Sequence, residues 1–226
     1  MLRLSQIMLE YIQNLKVNKI IQKLILVDLT VMSGWSLVDP VFAIFIIDRI
    51  QGATVVTIGF AAAIYWFAKS MLQMPVALML DRIKGEKDDH LVLVLGLTLS
   101  SLAAISLIFI TQIWQLYLIK LLQAIAFSLF IPSWYSLFSR HLDGSHRSFE
   151  FSLDSTVAGL AAGLTGLLSG VLVQSFGFVA IFFIAAALSL LAAIIIVLVP
   201  EIALPPRDSK VGEHMVGDHT PKSINK

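Results

Sequence analysis

The sequence predicts an all-α integral membrane protein with six transmembrane helices. Of its 226 residues, 58% are hydrophobic and only 14% are charged, whereas soluble domains are about 45–50% apolar and about 25% charged. The mean hydropathy is +0.87. Apolar surface in this excess is accommodated by lipid, so the composition excludes a soluble enzyme.

Six apolar segments are long enough to cross a bilayer, which takes about 20 predominantly apolar residues per helix. The connections between them are short, so consecutive helices should be antiparallel. We expect these helices to form one transmembrane domain over residues 20–200. The segments span residues 20–47, 54–80, 90–110, 113–138, 152–174 and 177–199.

The two ends of the chain have a different character from the apolar segments. Within residues 1–19, apolar side chains recur at helical spacing among charged ones, which predicts an amphipathic helix on the membrane surface; a disordered leader is the alternative. No cleavable signal peptide is expected, because the first long apolar run starts near Ile20 without a small-residue cleavage site. Residues 201–226 are polar and predict a disordered cytoplasmic tail.

The distribution of lysine and arginine predicts the orientation of the chain. Thirteen of these residues fall in segments on the same side as the N-terminus, and Arg49 alone falls on the opposite side. Because cytoplasmic loops carry the excess of positive charge, both termini should be cytoplasmic. An even number of spans agrees with this. The plasma (inner) membrane is the expected location.

Two stretches that are 92 residues apart repeat one pattern. Residues 35–42 and 127–134 both read aromatic-Ser-Leu-x-x-Pro-x-aromatic. The helices that contain them should run in opposite directions, which predicts a 3+3 inverted repeat, a common build of secondary transporters. Pro40 and Pro132 each remove a helical hydrogen bond, so we expect kinks that line a cavity. Harmless kinks in a packed bundle are the alternative.

Four ionisable residues are predicted within the membrane, where each costs at least about 2.5–3.5 kcal/mol. Asp28 and Asp39 should share one face of the first helix with Trp35. Asp39 and Lys120 should lie about 12 Å and about 10 Å below the outer ends of their helices. We therefore expect an Asp39–Lys120 pair, which either binds or gates substrate or is a structural ion pair. Either aspartate could couple transport to protons.

The second helix adds a further charge, Lys69, with Tyr65 and Gln73 one turn on either side. Lys69 either binds an anionic group or extends to the interface. The first, second and fourth helices also carry an aromatic and polar set that would suit sugars, drugs or organic ions. It consists of Trp35, Tyr65, Trp66, Gln73, Gln123 and Trp134.

The predicted fifth helix carries a stripe of small residues within about 60° of arc. Such stripes let helix backbones approach closely, so we expect close packing there; a sliding surface is a second interpretation. The stripe consists of Gly159, Gly163, Gly166 and Gly170.

The loop after the second helix resembles a signature of the major facilitator superfamily. Asp81-Arg82 matches the family's Gly-x-x-x-Asp-Arg-x-Gly-Arg-Lys pattern, while the second glycine is displaced to Gly85 and a basic residue follows at Lys87. Lys120-x-x-Gln123-Ala124 is a weaker match to Arg-x-x-Gln-Gly. The chain thus resembles one six-helix half of a twelve-helix transporter of that family.

The resemblance implies alternating-access transport of a small solute, with the Asp81 loop stabilising one conformation. Since the family's site lies between two halves, it also implies a homodimer in which the loop contacts the partner protomer. A non-transporting membrane subunit, or a relic half that packs with another membrane protein, is the alternative. No enzyme activity, cofactor or metal is expected, because no catalytic constellation, phosphate loop or metal cluster is apparent. Nucleic-acid binding is not indicated, since the basic residues follow the topology.

Overall fold

The computed structural model describes residues 17–82, 85–144 and 146–198. The predicted 201–226 tail and all but the last residues of the predicted N-terminal helix lie outside this part of the chain. The all-α prediction is confirmed for the described residues. The helices are α1 (Lys19–Arg49), α2 (Val55–Arg82), α3 (Lys87–Ser106), α4 (Ile113–His141) and α5 (Arg147–Val197), and a 3₁₀ turn, Leu107–Phe109, follows α3.

Local sequence signals account for the helix ends. Asn18 caps α1, because its side-chain oxygen accepts a hydrogen bond from the Ile20 N–H at 3.0 Å. Gln112 and Gln115 form a reciprocal capping box at the start of α4, and such boxes satisfy two unpaired backbone donors at once. Gly52, with φ of 79°, lies in the turn between α1 and α2, where glycine adopts the left-handed region without strain.

All five helices are long and apolar enough to cross a membrane, where the sequence predicts six. The difference lies in α5, whose 51 residues contain both the predicted 152–174 and 177–199 segments. Gly177, the first residue of the second segment, has φ of 76° and ψ of 174° and is not helical. The predicted boundary therefore coincides with a break in the backbone geometry of α5.

The two arms of α5, residues 147–176 and 178–197, both lie against α1. Gly166 lies beside Ser36 and Pro40, and Ala185 lies beside Gly34. In a straight helix Gly166 and Ala185 would be about 28 Å apart, while Gly34 and Pro40 are only about 9 Å apart along α1. The polypeptide therefore bends sharply at Gly177.

Aromatic and small polar side chains join the helices in the core. Phe45 of α1 packs on Phe182 with ring centroids 4.6 Å apart. The Trp35 indole N–H donates to the Ser100 hydroxyl at 2.8 Å, and the Ser100 and Ser189 hydroxyls are 3.3 Å apart. This buried chain connects α1, α3 and the second arm of α5. Interhelical hydrogen bonds of this kind help to hold transmembrane bundles together.

Close backbone packing occurs at two glycines that the sequence pattern does not single out. A Cβ added at Gly96 would lie 2.7 Å from the Phe130 nitrogen, and one added at Gly34 would lie 3.2 Å from the Ala185 Cα. At these crossings α3 meets α4 and α1 meets α5 with little space for a side chain.

The glycine stripe of α5 lies mostly on the uncovered side of the first arm. A Cβ added at Gly159, Gly163 or Gly170 would meet nothing within 4 Å, and only Gly166 lies near another described helix. Among the described residues, the stripe therefore makes close contact at Gly166 alone, and close packing at the other three positions stays a prediction. Leu160, Leu164 and Leu167 are exposed on the same arm.

Candidate functional site

Lys120 is the most deeply enclosed cation among the predicted site residues. Its residue is only 8% exposed, and its Nζ donates to the Gln123 Oε1 at 2.9 Å. The ammonium group lies 3.8 Å from the ring centroid of Phe42 and 5.8 Å from that of Tyr65. A desolvated cation over aromatic faces gains a cation–π attraction, so the rings of α1 and α2 hold the Lys120 charge in place.

Asp39 of α1 is the carboxylate that acts on Lys120. It influences both Lys120 and Tyr65 electrostatically. Within the described ranges the two side chains form no ion pair at 4.0 Å or less. The exposed Asp39 carboxylate and the enclosed ammonium group are therefore separated by a gap of more than 4.0 Å and do not pair directly.

Polar and aromatic side chains of α2 continue from this gap as a seam formed by Tyr65, Lys69 and Gln73. The Lys69 Nζ lies 4.6 Å from the Trp66 ring centroid and 5.8 Å from that of Tyr65. Gln73, one turn further, lines a cleft of about 720 Å³ between α2 and α4. The seam thus runs from Asp39 past Lys120 and Lys69 into the cleft.

The cleft brings together residues from three predicted groups. Gln73 belongs to the predicted cavity, Pro132 to the predicted kinks and Asp81 to the loop motif. The kink prolines lie inside continuous helices, with Pro40 exposed in α1 and Pro132 buried in α4. Pro75, which the sequence interpretation passed over, lies inside α2 next to the cleft. The full lining is Ser70, Gln73, Met74, Ala77, Leu80, Asp81, Pro132, Tyr135, Ser136, Ser139, Arg140 and Phe151.

Two of the predicted site residues lie in the core instead of the cleft. Trp35 is 4% exposed and bonded to Ser100, as described above, and Trp134 is 5% exposed. The Trp134 indole N–H donates to the Leu24 carbonyl at 3.2 Å. Both indoles are therefore engaged in packing α1 against its neighbours. Asp28 lies apart from the Lys120 group, towards the first arm of α5.

The loop motif lies where α2 ends and α3 begins. Asp81 and Arg82 are exposed at the last turn of α2, Gly85 has φ of 136°, and Lys87 begins α3. A positive φ at Gly85 suits glycine, which adopts this region without strain. The described charged residues Asp81, Arg82 and Lys87 of the motif are exposed.

A buried charge pair behind this loop was missed by the sequence interpretation. Asp89 in the first turn of α3 is fully buried, and its Oδ2 lies 3.0 Å from an Arg140 guanidinium nitrogen. Arg140 also donates to the Gly85 carbonyl. The sequence does contain a signal for this pair, because an acidic first turn of α3 and a basic last turn of α4 both complement helix dipoles. Only the fold, however, places the start of α3 beside the end of α4.

Comparison with known proteins identifies the family. The family description "Major Facilitator Superfamily" matches residues 24–224, which include nearly all of α1 and the whole of α2 to α5. A search among curated proteins finds no match. Because the match spans most of the chain, and the buried charges and cleft lie within it, this membrane protein belongs to the major facilitator superfamily, whose members are transporters.

Proposed function

We propose that the chain is a secondary transporter that moves a small solute by alternating access. The observation that carries this proposal is the enclosed Lys120, which is separated from Asp39 by a gap and, among the described residues, donates a hydrogen bond to Gln123 alone. An ionisable group at membrane depth is expensive unless it faces a polar pathway. Lys120, Asp39 and Gln123 would bind the solute, and the seam along Tyr65, Lys69 and Gln73 would lead to it.

The proposal includes six membrane spans arranged as a 3+3 inverted repeat. The arms of α5 on either side of Gly177 are about 45 Å and about 30 Å long at 1.5 Å per residue, and each can cross a hydrocarbon core of about 30 Å. Pro40 and Pro132 lie inside α1 and α4, which supports the repeat. Six spans would put both termini on the same side of the membrane, and the excess of Lys and Arg on that side favours the cytoplasm. The plasma membrane is the proposed location.

A second six-helix unit is needed to enclose the site, and we propose that a second copy of this chain supplies it. Helix α2 buries only 11% of its most apolar stretch within this chain, against 56% for α1. The glycine stripe of α5 is open as well. Lys69 and Gln73 would face lipid unless a partner covers them. The exposed loop of Asp81, Arg82, Gly85 and Lys87 would then contact the partner in one conformation.

Transport by the purified protein in liposomes tests the proposal. Classes of labelled sugars, organic cations and organic anions would be screened with the wild-type chain. We expect Lys120→Met and Asp39→Asn to reduce uptake of the accepted class at least about tenfold, since each removes a charge from the gap. Lys19→Met, an exposed lysine outside the cleft, is the matched control and should transport normally.

The exchanged pair Asp39→Lys with Lys120→Asp separates solute binding from a structural role. If the exchange restores full transport, the charges only neutralise each other. If a dimeric wild-type protein moves none of the solutes, the proposal gives way to the alternative of a non-transporting membrane subunit.

A further inference from the structure

A second carboxyl group lies near Asp28, in the half of the bundle away from Lys120. Asp154, on the first arm of α5, is 8% exposed, and its Oδ1 has no hydrogen-bond partner among the described residues. The Asp28 carboxylate acts on Asp154 electrostatically. A buried oxygen of this kind is costly to leave unsatisfied.

The packing of the helices places the two aspartates at one level. Gly166 lies beside Pro40; Asp28 precedes Pro40 by 12 residues, and Asp154 precedes Gly166 by the same number. Both carboxyl groups are therefore about 18 Å from the same contact, measured along their helices. This holds because the arm runs in the same direction as α1.

Aromatic contacts at the other end confirm that direction. Phe151 lies 5.0 Å from Phe138 by ring centroids, Phe138 stacks on Trp134 at 4.4 Å, and Trp134 bonds to the Leu24 carbonyl. The start of the arm and the lower part of α1 thus meet the same end of α4. Asp28 and Asp154 lie about one helical turn above this aromatic layer.

The helices around the pair carry further charged groups. On α5, Arg147 precedes Asp154 by seven residues, about two helical turns, and lies on the same face of the arm. On α1, Lys23 points about 140° away from Asp28 around the helix axis. On α4, Arg140 pairs with Asp89, and His141 binds the Leu137 carbonyl and lies 3.8 Å from Glu86.

The α5 arm itself contributes one further acid near the pair. Glu150, one turn before Asp154, accepts from the Asp143 N–H at 2.9 Å. Asp28 and Asp154 form no ion pair within the described ranges at 4.0 Å or less.

We propose that Asp28 and Asp154 form a proton-binding site in which one proton is shared between the two carboxyl groups. Two ionised carboxylates in a poorly solvated site repel each other, and one bound proton removes the repulsion. The protonated carboxyl donates its O–H to the other carboxylate, which satisfies Asp154 Oδ1. A proton suits the donor set better than a metal, since hard cations take about six oxygen ligands and no cluster of three acidic or histidine ligands occurs in the described residues.

The second part of the proposal rests on the proposed transport function. The pair lies between α1, which carries Asp39, and α5, whose glycine stripe is open to a partner. Release of the shared proton would leave two negative charges that push the α5 arm away from α1. The proton held here is then the coupling ion of transport.

Infrared spectroscopy of the full chain in lipid nanodiscs tests the site without any substrate. At neutral pH the wild-type protein should show the carbonyl stretch of one protonated carboxyl that disappears on alkaline titration. We expect Asp28→Asn and Asp154→Asn each to lose this band completely. The double variant should lose the same single band and no more, because the two residues share one proton. Asp48→Asn, an exposed carboxyl on the same helix, should keep it.

Other outcomes would overturn the site. Loss of two bands in the double variant would mean two independent protonated acids, and an unchanged band in Asp154→Asn would assign the proton elsewhere. The pair would instead bind a metal cation if the band is absent in sodium buffer and the protein unfolds at a higher temperature in sodium than in choline buffer. If Asp154→Asn fails to fold, Asp28→Asn and Asp154→Glu carry the test, the second retaining the band.

A transport measurement separates this inference from the proposed function. If the band behaves as expected but the wild-type protein moves no solute, the proton site stands and the transport function fails. If the wild-type protein transports and a pH gradient drives uptake equally in Asp154→Asn, the coupling role is overturned while the transport function stands.

Discussion

A single methyl group at Gly96 tests how tightly α3 packs on α4. The added Cβ of Gly96→Ala would lie 2.7 Å from the Phe130 nitrogen and 2.9 Å from the Ala126 carbonyl oxygen. Both atoms are backbone, so the helices must move apart. We expect a loss of about 1–3 kcal/mol in the free energy of unfolding, measured by thermal unfolding in mild detergent.

The control for Gly96→Ala is Gly59→Ala in α2, where a Cβ meets nothing within 4 Å. It should be neutral or slightly stabilising, since alanine is favoured over glycine inside a helix by about 0.5–1 kcal/mol. Equal stability of the two variants would mean that α3 and α4 do not approach as closely as described.

Single residues also mark what the sequence can and cannot predict. The depth of Lys120 follows from counting along one helix, and the same count along α1 led to the prediction that Asp39 lies at its level. The proximity of Asp154 to Asp28 could not be predicted, because the two residues are far apart in the sequence and their distance depends on how α5 crosses α1. The same holds for Gly34 and Gly96, whose close contacts depend on which helices cross.

Within α5, Gly177 should be the position least tolerant of a side chain. Its φ of 76° and ψ of 174° lie in a region that is essentially restricted to glycine, where another residue is strained by about 1–3 kcal/mol. We expect Gly177→Ala to lower the free energy of unfolding by about that amount although there is open space around the residue. Gly59→Ala again serves as the control in the same unfolding assay. A neutral Gly177→Ala would contradict the bend.

The end of α4 and the start of α3 should depend on each other through Arg140 and Asp89. Arg140→Gln leaves a fully buried carboxylate without its cation. Loss of one partner costs about 3–5 kcal/mol for a fully buried pair. Because the Arg140 side chain is 33% exposed, we expect a smaller loss, about 1–3 kcal/mol.

A double-mutant cycle measures this coupling between α3 and α4. Adding Asp89→Asn to Arg140→Gln should recover part of the loss, since the stranded charge is removed. Arg49→Gln, an exposed arginine at the end of α1, should change stability by less than about 0.5 kcal/mol. Strict additivity of the two changes in unfolding free energy would show that the pair contributes nothing.

At the scale of the whole molecule, the uncovered surfaces of α2 and α5 determine how a second copy would bind. In a twofold dimer every contact occurs twice. If a surface of the first chain binds a different surface of the second, the second chain binds the first in the same way. Phe151 of the α5 arm lines the same cleft as α2 residues, so both surfaces flank one opening. We therefore expect the α5 glycine stripe of one chain to lie against α2 of the other.

Cysteine cross-linking between two differently tagged copies tests this dimer. The native chain has no cysteine, so every thiol is an introduced one. Gly163→Cys in one copy and Met71→Cys in the other lie near the middle of the α5 arm and of α2, and Met71 is 76% exposed. A short thiol cross-linker should join these copies in membranes. Leu91→Cys on α3, 67% exposed, paired with Met71→Cys should give no product. Equal cross-linking of both pairs, or a monomeric mass in nanodiscs, would contradict the dimer and direct attention to co-purifying membrane proteins.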